Sequence, residues 1–181
     1  MEQINSKQDL INYFEKGCKK ESQLRIGVEH EKFIFNNLTN QRINFETVSK
    51  IFNFLKQFGW KPIKEIDYVV GLSREGQSIT LEPGNQIELS GAKLNSIHLN
   101  CSESYKYLDE LRKACKKFNL KMMSVSFDPF TKLENVPQTP KQRYEIMTKE
   151  MPKDGKLSLH MMYQTCGTQI NLDYTSEEDF I

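Results

Sequence analysis

The nine residues Arg25-Ile26-Gly27-Val28-Glu29-His30-Glu31-Lys32-Phe33 constrain this chain more than any other stretch. They alternate as a half-buried strand does, which sets Glu29 and Glu31 on the same face as Gly27 and Phe33 and turns His30 to the other. A second stretch, Leu81-Glu82-Pro83-Gly84-Asn85-Gln86-Ile87-Glu88-Leu89, again places two acids among apolar partners beside a glycine. Residues i and i+2 of a strand are roughly 7 Å apart on one face. Two half-buried carboxylates at that distance repel by about 2 kcal/mol at an effective dielectric of about 20. A fold accepts Glu29, Glu31, Glu82 and Glu88 together if a cation sits among them or if they point into water.

A single strand glutamate is ordinarily solvated. Two clusters, each set among apolar residues, favour a divalent cation instead. All-oxygen ligands suit magnesium or manganese, and magnesium takes few protein carboxylates, completing its shell with water and phosphate. The expected chemistry is therefore that of a nucleotide phosphate. Neither Gly-x-x-x-x-Gly-Lys-Ser/Thr nor Gly-x-Gly-x-x-Gly occurs, so a metal rather than a glycine loop is expected to hold it. His30 and His98 read as structural. Cys166 has no motif that supplies a histidine partner and an oriented base, so it reads as a small wall residue rather than a nucleophile.

The 181 residues suffice for one domain with its own core. Twenty-five basic against 24 acidic residues leave a net charge of +1, with no basic field for nucleic acid. No apolar run approaches the ~20 residues of a membrane span. The polar start, Met1 to Asp9, reads as neither signal nor transit peptide. Cys18, Cys101, Cys115 and Cys166 form no zinc pattern, and reduced thiols in the cytoplasm are the default reading, with a regulatory disulfide as the alternative. Cytoplasmic residence is the expectation.

Ser6 opens a Ser-x-x-Asp cap before Leu10, Ile11, Phe14 and Cys18, which predicts an amphipathic helix. A strand follows from about Leu24 to Phe35, then a turn at Asn36 to Asn40. A helix from about Glu46 to Phe58 buries Val48, Ile51, Phe52 and Leu55 and stops at Gly59. Ile66 to Leu72 and Ser78 to Glu82 read as a hairpin. Pro83-Gly84 then interrupts the strand, with pairing resumed at Gln86 to Leu89 after a bend or bulge. Leu94, Ile97, Cys101, Tyr105, Leu108, Leu111, Cys115 and Phe118 predict one long helix with these residues on its core face, ended by Asn119. Leu120 to Phe127 reads as a strand, Asp128 to Pro140 as a proline-rich loop, Lys141 to Glu150 as a short helix, and Thr168 to Tyr174 as a last strand with Gln169, Asn171 and Asp173 on one face. Ser176 with Glu177, Glu178 and Asp179 is a helix start, but the two or three residues that remain cannot nucleate a helix alone. Residues 1–181 are accordingly expected to be the N-terminal part of a single catalytic domain, cut short after Ile181.

Gly27-Val28-Glu29-His30-Glu31-Lys32-Phe33, the stretch from Leu81 to Ala92, and Thr165-Cys166-Gly167-Thr168-Gln169-Ile170-Asn171-Leu172-Asp173 resemble glutamate–cysteine ligase of the plant and proteobacterial type. The resemblance is colinear from about Arg25 to Asp179 and includes Pro140 to Met147 and Met151-Pro152. It implies ATP- and magnesium-dependent joining of the glutamate γ-carboxyl to cysteine through a γ-glutamyl phosphate, the first step of glutathione synthesis. The implied fold is α+β and glutamine-synthetase-like, an antiparallel sheet curved into a funnel with helices outside. It implies Mg2+ (or Mn2+) held by Glu29, Glu31 and Glu88, with Glu82 next. ATP is the implied co-substrate. Thr165, Cys166, Gln169 and Asn171 would line the substrate site, and Arg143 would fork a substrate carboxylate, as guanidinium geometry allows. Its other reading is a surface arginine. The implied partners are glutamate, cysteine, ATP and the C-terminal remainder of the same enzyme, with no nucleic acid and no membrane. The sequence departs from the family pattern at Thr148, His160, Gln164 and Gly167, and family members are more than twice as long. Two alternatives stand beside this reading: a fragment that binds metal or amino acid without turnover, and a related carboxylate–amine ligase with another amine acceptor.

Overall fold

A computed structural model describes residues 3–65 and 67–181. Ile66, the expected first residue of the hairpin, lies outside the described residues, as do Met1 and Glu2. The architecture is α+β: a seven-stranded antiparallel sheet with helices packed on it.

The central strand β1 (Ile26–Asn36) is the one that carries Glu29 and Glu31. The other strands are β2 (Lys61–Glu65), β3 (Tyr68–Arg74), β4 (Gln77–Glu82), β5 (Gln86–Ser90), β6 (Leu120–Met123) and β7 (Thr168–Leu172). Their order is β2-β3-β4-β5-β1-β6, and β7 also pairs with β1. Along β1, residues 26–30 pair with β7 and residues 33–36 with β6, while β5 pairs with Glu29 through Lys32. All these pairings are antiparallel, as short connections and tight turns allow.

Local chemistry explains the turns. Glu75 and Gly76, with φ of 49° and 82°, form the mirror-image turn that suits the twist of the β3–β4 hairpin. The interruption at Pro83-Gly84 is more than a bend: Glu82 pairs with Gln86, so the chain reverses and β4 and β5 are neighbours rather than two halves of one strand. Gly84 and Asn85 carry it out with φ of 70° and 59°. Thr139 Oγ1 accepts from Asn85 N at 2.9 Å, and the Asn85 side chain donates to Ile43 O, which fastens the buried turn.

The helices are α1 (Lys7–Glu15), α2 (Phe45–Leu55), α3 (Ile97–Lys117), α4 (Gln142–Glu150), α5 (Ser158–Gln164) and α6 (Glu177–Phe180). The α1 capping box is present: Ser6 accepts from Asp9 N, and Asp9 returns bonds to the backbone of Ser6 and Asn5. Asn44 caps α2, and Gly59 at φ 88° ends its 3-10 continuation. Helices α2 and α3 cover one face of the sheet. Val48, Ile51, Phe52 and Leu55 of α2 and Tyr107, Leu111, Ala114 and Cys115 of α3 meet Ile34, Leu72, Ile79, Leu81, Ile87 and Leu89 in the main core. A smaller cluster, Val136, Tyr144, Met162 and Tyr163, joins α4 and α5 near the β4–β5 turn.

Three expectations are corrected. Cys101, Ile97 and Tyr105 are exposed, and Asn100, Tyr107 and Glu110 face the sheet instead. Glu110 can do so because it accepts from Trp60 Nε1 at 2.8 Å and Arg74 Nη1 at 2.9 Å, and Tyr107 because its hydroxyl reaches Ile87 O. The strand expected to reach Phe127 stops at Met123, because Phe127 leaves the sheet to bridge Thr165. The strand expected to reach Tyr174 ends at Leu172, and Asp173 turns to Lys19 and Arg25. No element was expected where helix α5 and strand β2 lie. Among the described residues no helix is long and apolar enough to cross a membrane.

Candidate active site

The second face of the sheet is polar where β1 meets β5 and β7, and apolar further along, where Phe33 and Phe35 pack with Cys166. Glu31 lies directly opposite Glu88, Glu29 opposite Ser90 on one side and Gln169 on the other, and Gly27 opposite Asn171. Glu88 in turn lies opposite Thr80, two residues from Glu82. Side chains directly opposite in a ladder share a face, so Glu29, Glu31, Glu82, Glu88, Gln169 and Asn171 all project to the same side. The register thus brings together the acids and amides singled out from sequence.

Their hydrogen bonds divide the acids into two kinds. Gly167 N donates to Glu31 Oε2 at 2.6 Å, Ser90 Oγ donates to Glu88 Oε1 at 2.6 Å, and Asn171 Nδ2 donates to Glu29 Oε1 at 3.1 Å. Each of these carboxylates keeps its other oxygen without a protein partner among the described residues. Glu82 is different. Its Oε1 accepts from Arg143 Nη2 at 3.3 Å, and its Oε2 lies 3.1 Å from the Tyr144 hydroxyl, whose single proton also has Leu81 O within reach at 2.9 Å.

Burial raises the Glu31 carboxyl above its ordinary value, and repulsion from Glu88 and Glu29 adds to this, against the Gly167 bond. Glu88 is also raised, chiefly by burial and then by Glu82 and Glu29, with Ser90 opposing. Burial raises Glu82 too, and the Arg143 and Lys141 cations oppose it. The face therefore concentrates negative charge that the protein itself leaves partly uncompensated.

Among the described residues, no three His, Cys, Asp or Glu side chains sit close enough to hold one ion. A closed all-protein cage of the zinc or calcium kind does not fit. Single free oxygens spread over one face do fit magnesium, which takes one or two carboxylates and fills its shell with water and phosphate.

Beside the acids lies an open cleft of about 710 Å3, bounded by Glu31 and Glu82 on one side and by Phe127, Met147, Met151 and Met161 on the other. Thr165, Cys166 and Gln169 line it as well, whereas Asn171 stands apart beside Glu29. Cys166 is buried, and burial pushes its thiol up, away from a reactive thiolate. Arg143 does not line this cleft; it meets Glu82, which does, and its guanidinium carbon lies 4.7 Å from the centre of the Tyr144 ring. A larger groove of about 870 Å3, lined mainly by asparagine and threonine side chains, lies by the turn after β1 and has no carboxylate in its wall.

Sequence reasoning missed the partners that aim these groups. Ser90 follows from alternation, since it is two residues from Glu88. The backbone of Gly167, the Tyr144 hydroxyl and the methionine wall of the cleft arise from tertiary contacts that no local pattern encodes.

The sequence matches glutamate-cysteine ligase family 2 over residues 25–181. It is 42% identical over 177 residues to the chloroplastic glutamate–cysteine ligase of Medicago truncatula, covering 97% of this chain and 35% of that protein. The enzymes of Nicotiana tabacum and Arabidopsis thaliana are 41% and 40% identical, over 97% of this chain and 34% of each. An acid-faced antiparallel sheet backed by helices, with these matches, places the chain in the glutamate–cysteine ligase family. The chain spans about a third of the length of the curated relatives it matches.

The cytoplasmic expectation is corrected here. All eight matching relatives are named chloroplastic, which points to a plastid. A transit peptide is a separate cleaved leader, so the polar stretch Met1 to Asp9 carries no information on it.

Proposed function

We propose that this chain forms the metal- and nucleotide-facing wall of an ATP-dependent glutamate–cysteine ligase, with a glutamine-synthetase-like fold. Residues 1–181 would be the N-terminal part of its catalytic domain, and polypeptide corresponding to the rest of the relatives' length would supply the far side. The observation that carries the reading is the set Glu29, Glu31 and Glu88, each with one oxygen fixed by the protein and one free on the same face.

Magnesium or manganese bound there would neutralise the phosphate oxygens of ATP. The chain's own groups do the positioning. Asn171, Gly167 N and Ser90 hold the three carboxylates in place. Arg143 offers Nε and Nη1, which have no protein partner among the described residues, to a substrate carboxylate. Glutamate and cysteine would occupy the adjoining cleft, with Thr165, Cys166 and Gln169 in its wall.

The test is Mn2+ uptake by the 181-residue chain, followed by electron paramagnetic resonance, with Glu29→Gln, Glu31→Gln and Glu88→Gln beside the wild type. Each substitution is expected to weaken binding at least about tenfold, since even loss of an outer partner costs that much. Unchanged affinity in all three variants sinks the reading. The chain's reach over only a third of its relatives favours a second reading, binding without turnover. Phosphate released on adding glutamate, cysteine and ATP would exclude it.

A further inference from the structure

The geometry points to Glu82 as a positioning residue that holds Arg143 beside the acid face, rather than as a metal ligand. This rests on the reading of the acid face as a metal site, and it separates one of the four acids from the other three.

Glu82 and its three neighbours differ in what their oxygens still offer. A carboxylate binds a cation most readily through an oxygen that no protein donor approaches, because a second donor there competes for the same electron density. Glu29, Glu31 and Glu88 each keep such an oxygen. Glu82 meets a guanidinium with Oε1 and a phenol with Oε2, and the guanidinium already supplies the positive charge that a metal would bring.

The three groups form a closed unit. Arg143 Nη2 donates to the Tyr144 hydroxyl at 2.6 Å as well as to Glu82, and the Tyr144 hydroxyl lies 2.9 Å from Leu81 O, one residue before Glu82. Lys141 Nζ also donates to Leu81 O, at 2.7 Å. The end of β4 is thus fastened to the start of α4 through four side chains. The exposures fit an anchor and its cargo: the Glu82 side chain is 20% exposed and that of Arg143 is 60% exposed. A long arginine side chain in that position would sample many rotamers if left alone, and immobilising it beforehand removes a cost that a bound anion would otherwise meet. One nitrogen, Nη2, is spent on the anchor. Nε and Nη1 remain for the forked contact with a carboxylate or phosphate oxygen.

Two measurements on the 181-residue chain decide the matter. In the first, Mn2+ affinity of Glu82→Gln is compared with wild type and Glu88→Gln. Glu82→Gln is expected to bind as wild type does, while Glu88→Gln loses at least about tenfold. In the second, nitrogen-15 spectra follow rotation of the Arg143 guanidinium. Slow, resolved Nη signals are expected in wild type, fast averaged ones in Glu82→Gln, and partial recovery in Glu82→Asp. The buried Arg42 and Arg74 signals are expected to stay unchanged, which excludes general loosening of the fold. The inference is overturned if Glu82→Gln weakens Mn2+ as much as Glu88→Gln does, or if the Arg143 signals ignore the substitution. Failure of wild type to take up Mn2+ would sink the metal reading of the face, and the arginine signals would still decide the anchoring role.

Discussion

At the scale of single residues, the candidate site depends on a few atoms that cannot move. Gly84 reverses the chain between two of the acids at φ 70°, and a Cβ there would lie 2.6 Å from Val136 Cγ1 and 2.9 Å from Arg42 Nη2. Gly84→Ala is expected to lower stability by about 1–3 kcal/mol through backbone strain and overpacking. Gly155 has ordinary φ and nothing within 4 Å of its added Cβ, so Gly155→Ala should leave the urea midpoint in place. Arg42 is the other fixed point. Its side chain is 1% exposed, it pairs with Asp128 at 3.1 Å, donates to Tyr163 O at 2.7 Å, and stacks 4.3 Å from the Phe33 ring centre. Arg42→Met would leave Asp128 buried without its cation, and a loss of about 3–5 kcal/mol in urea unfolding is expected. The acids of the site were legible in sequence, because alternation assigns a strand residue to a face without any knowledge of its neighbours. Their different fates were not. Glu82 and Glu88 look alike in sequence, and only the arrival of α4 beside β4 makes one an anchor for Arg143 while the other stays buried with Ser90 as its partner.

At the scale of elements, the strands and helices that bury an apolar face were the easiest to read. The spacing of Val48, Ile51, Phe52 and Leu55 in α2 is the pattern of its burial. Helix α3 misled by the same logic. Its apolar Ile97, Cys101 and Tyr105 are exposed, and its first half meets polar groups instead, Glu103 accepting from Ala92 N and Ser104 bonding the His30 ring. The end of β7 shows a different kind of tie. Asp173 accepts from Lys19 Nζ and from Arg25 N, and these bonds hold its carboxyl below the ordinary 3.8. A carboxyl lowered in the folded state binds fewer protons there than in the unfolded chain. Its stabilising effect is therefore complete above the ordinary value and lost as pH falls through the lowered one. The melting temperatures of wild type and Asp173→Asn are expected to differ at neutral pH and to converge in acid. An equal gap at every pH would contradict this.

At the scale of the whole molecule, the two edges of the sheet are unlike. At one edge β2 carries Lys61, Pro62 and Lys64, the usual protection against further pairing. The other edge is shared by β6 and β7 along β1, and there β7 offers Thr168 to Leu172 with no charge or proline, with Ile170 and Leu172 64% and 68% exposed. The chain alone is expected to self-associate through this edge, visible as concentration-dependent light scattering, and Ile170→Lys should suppress it. If wild type stays monomeric at high concentration, the edge is protected in some other way. The pairing order also has a consequence for synthesis. Strand β1 is the first to leave the ribosome, yet Lys32 meets Ile87, Phe33 meets Met123, and Ile26 meets Leu172. The centre of the sheet must wait for nearly the whole chain to be translated, while the β3–β4 hairpin and its β2 and β5 neighbours pair locally as they emerge. The lowest loop-closure cost lies at the protected edge and the highest around the strand that carries Glu29 and Glu31.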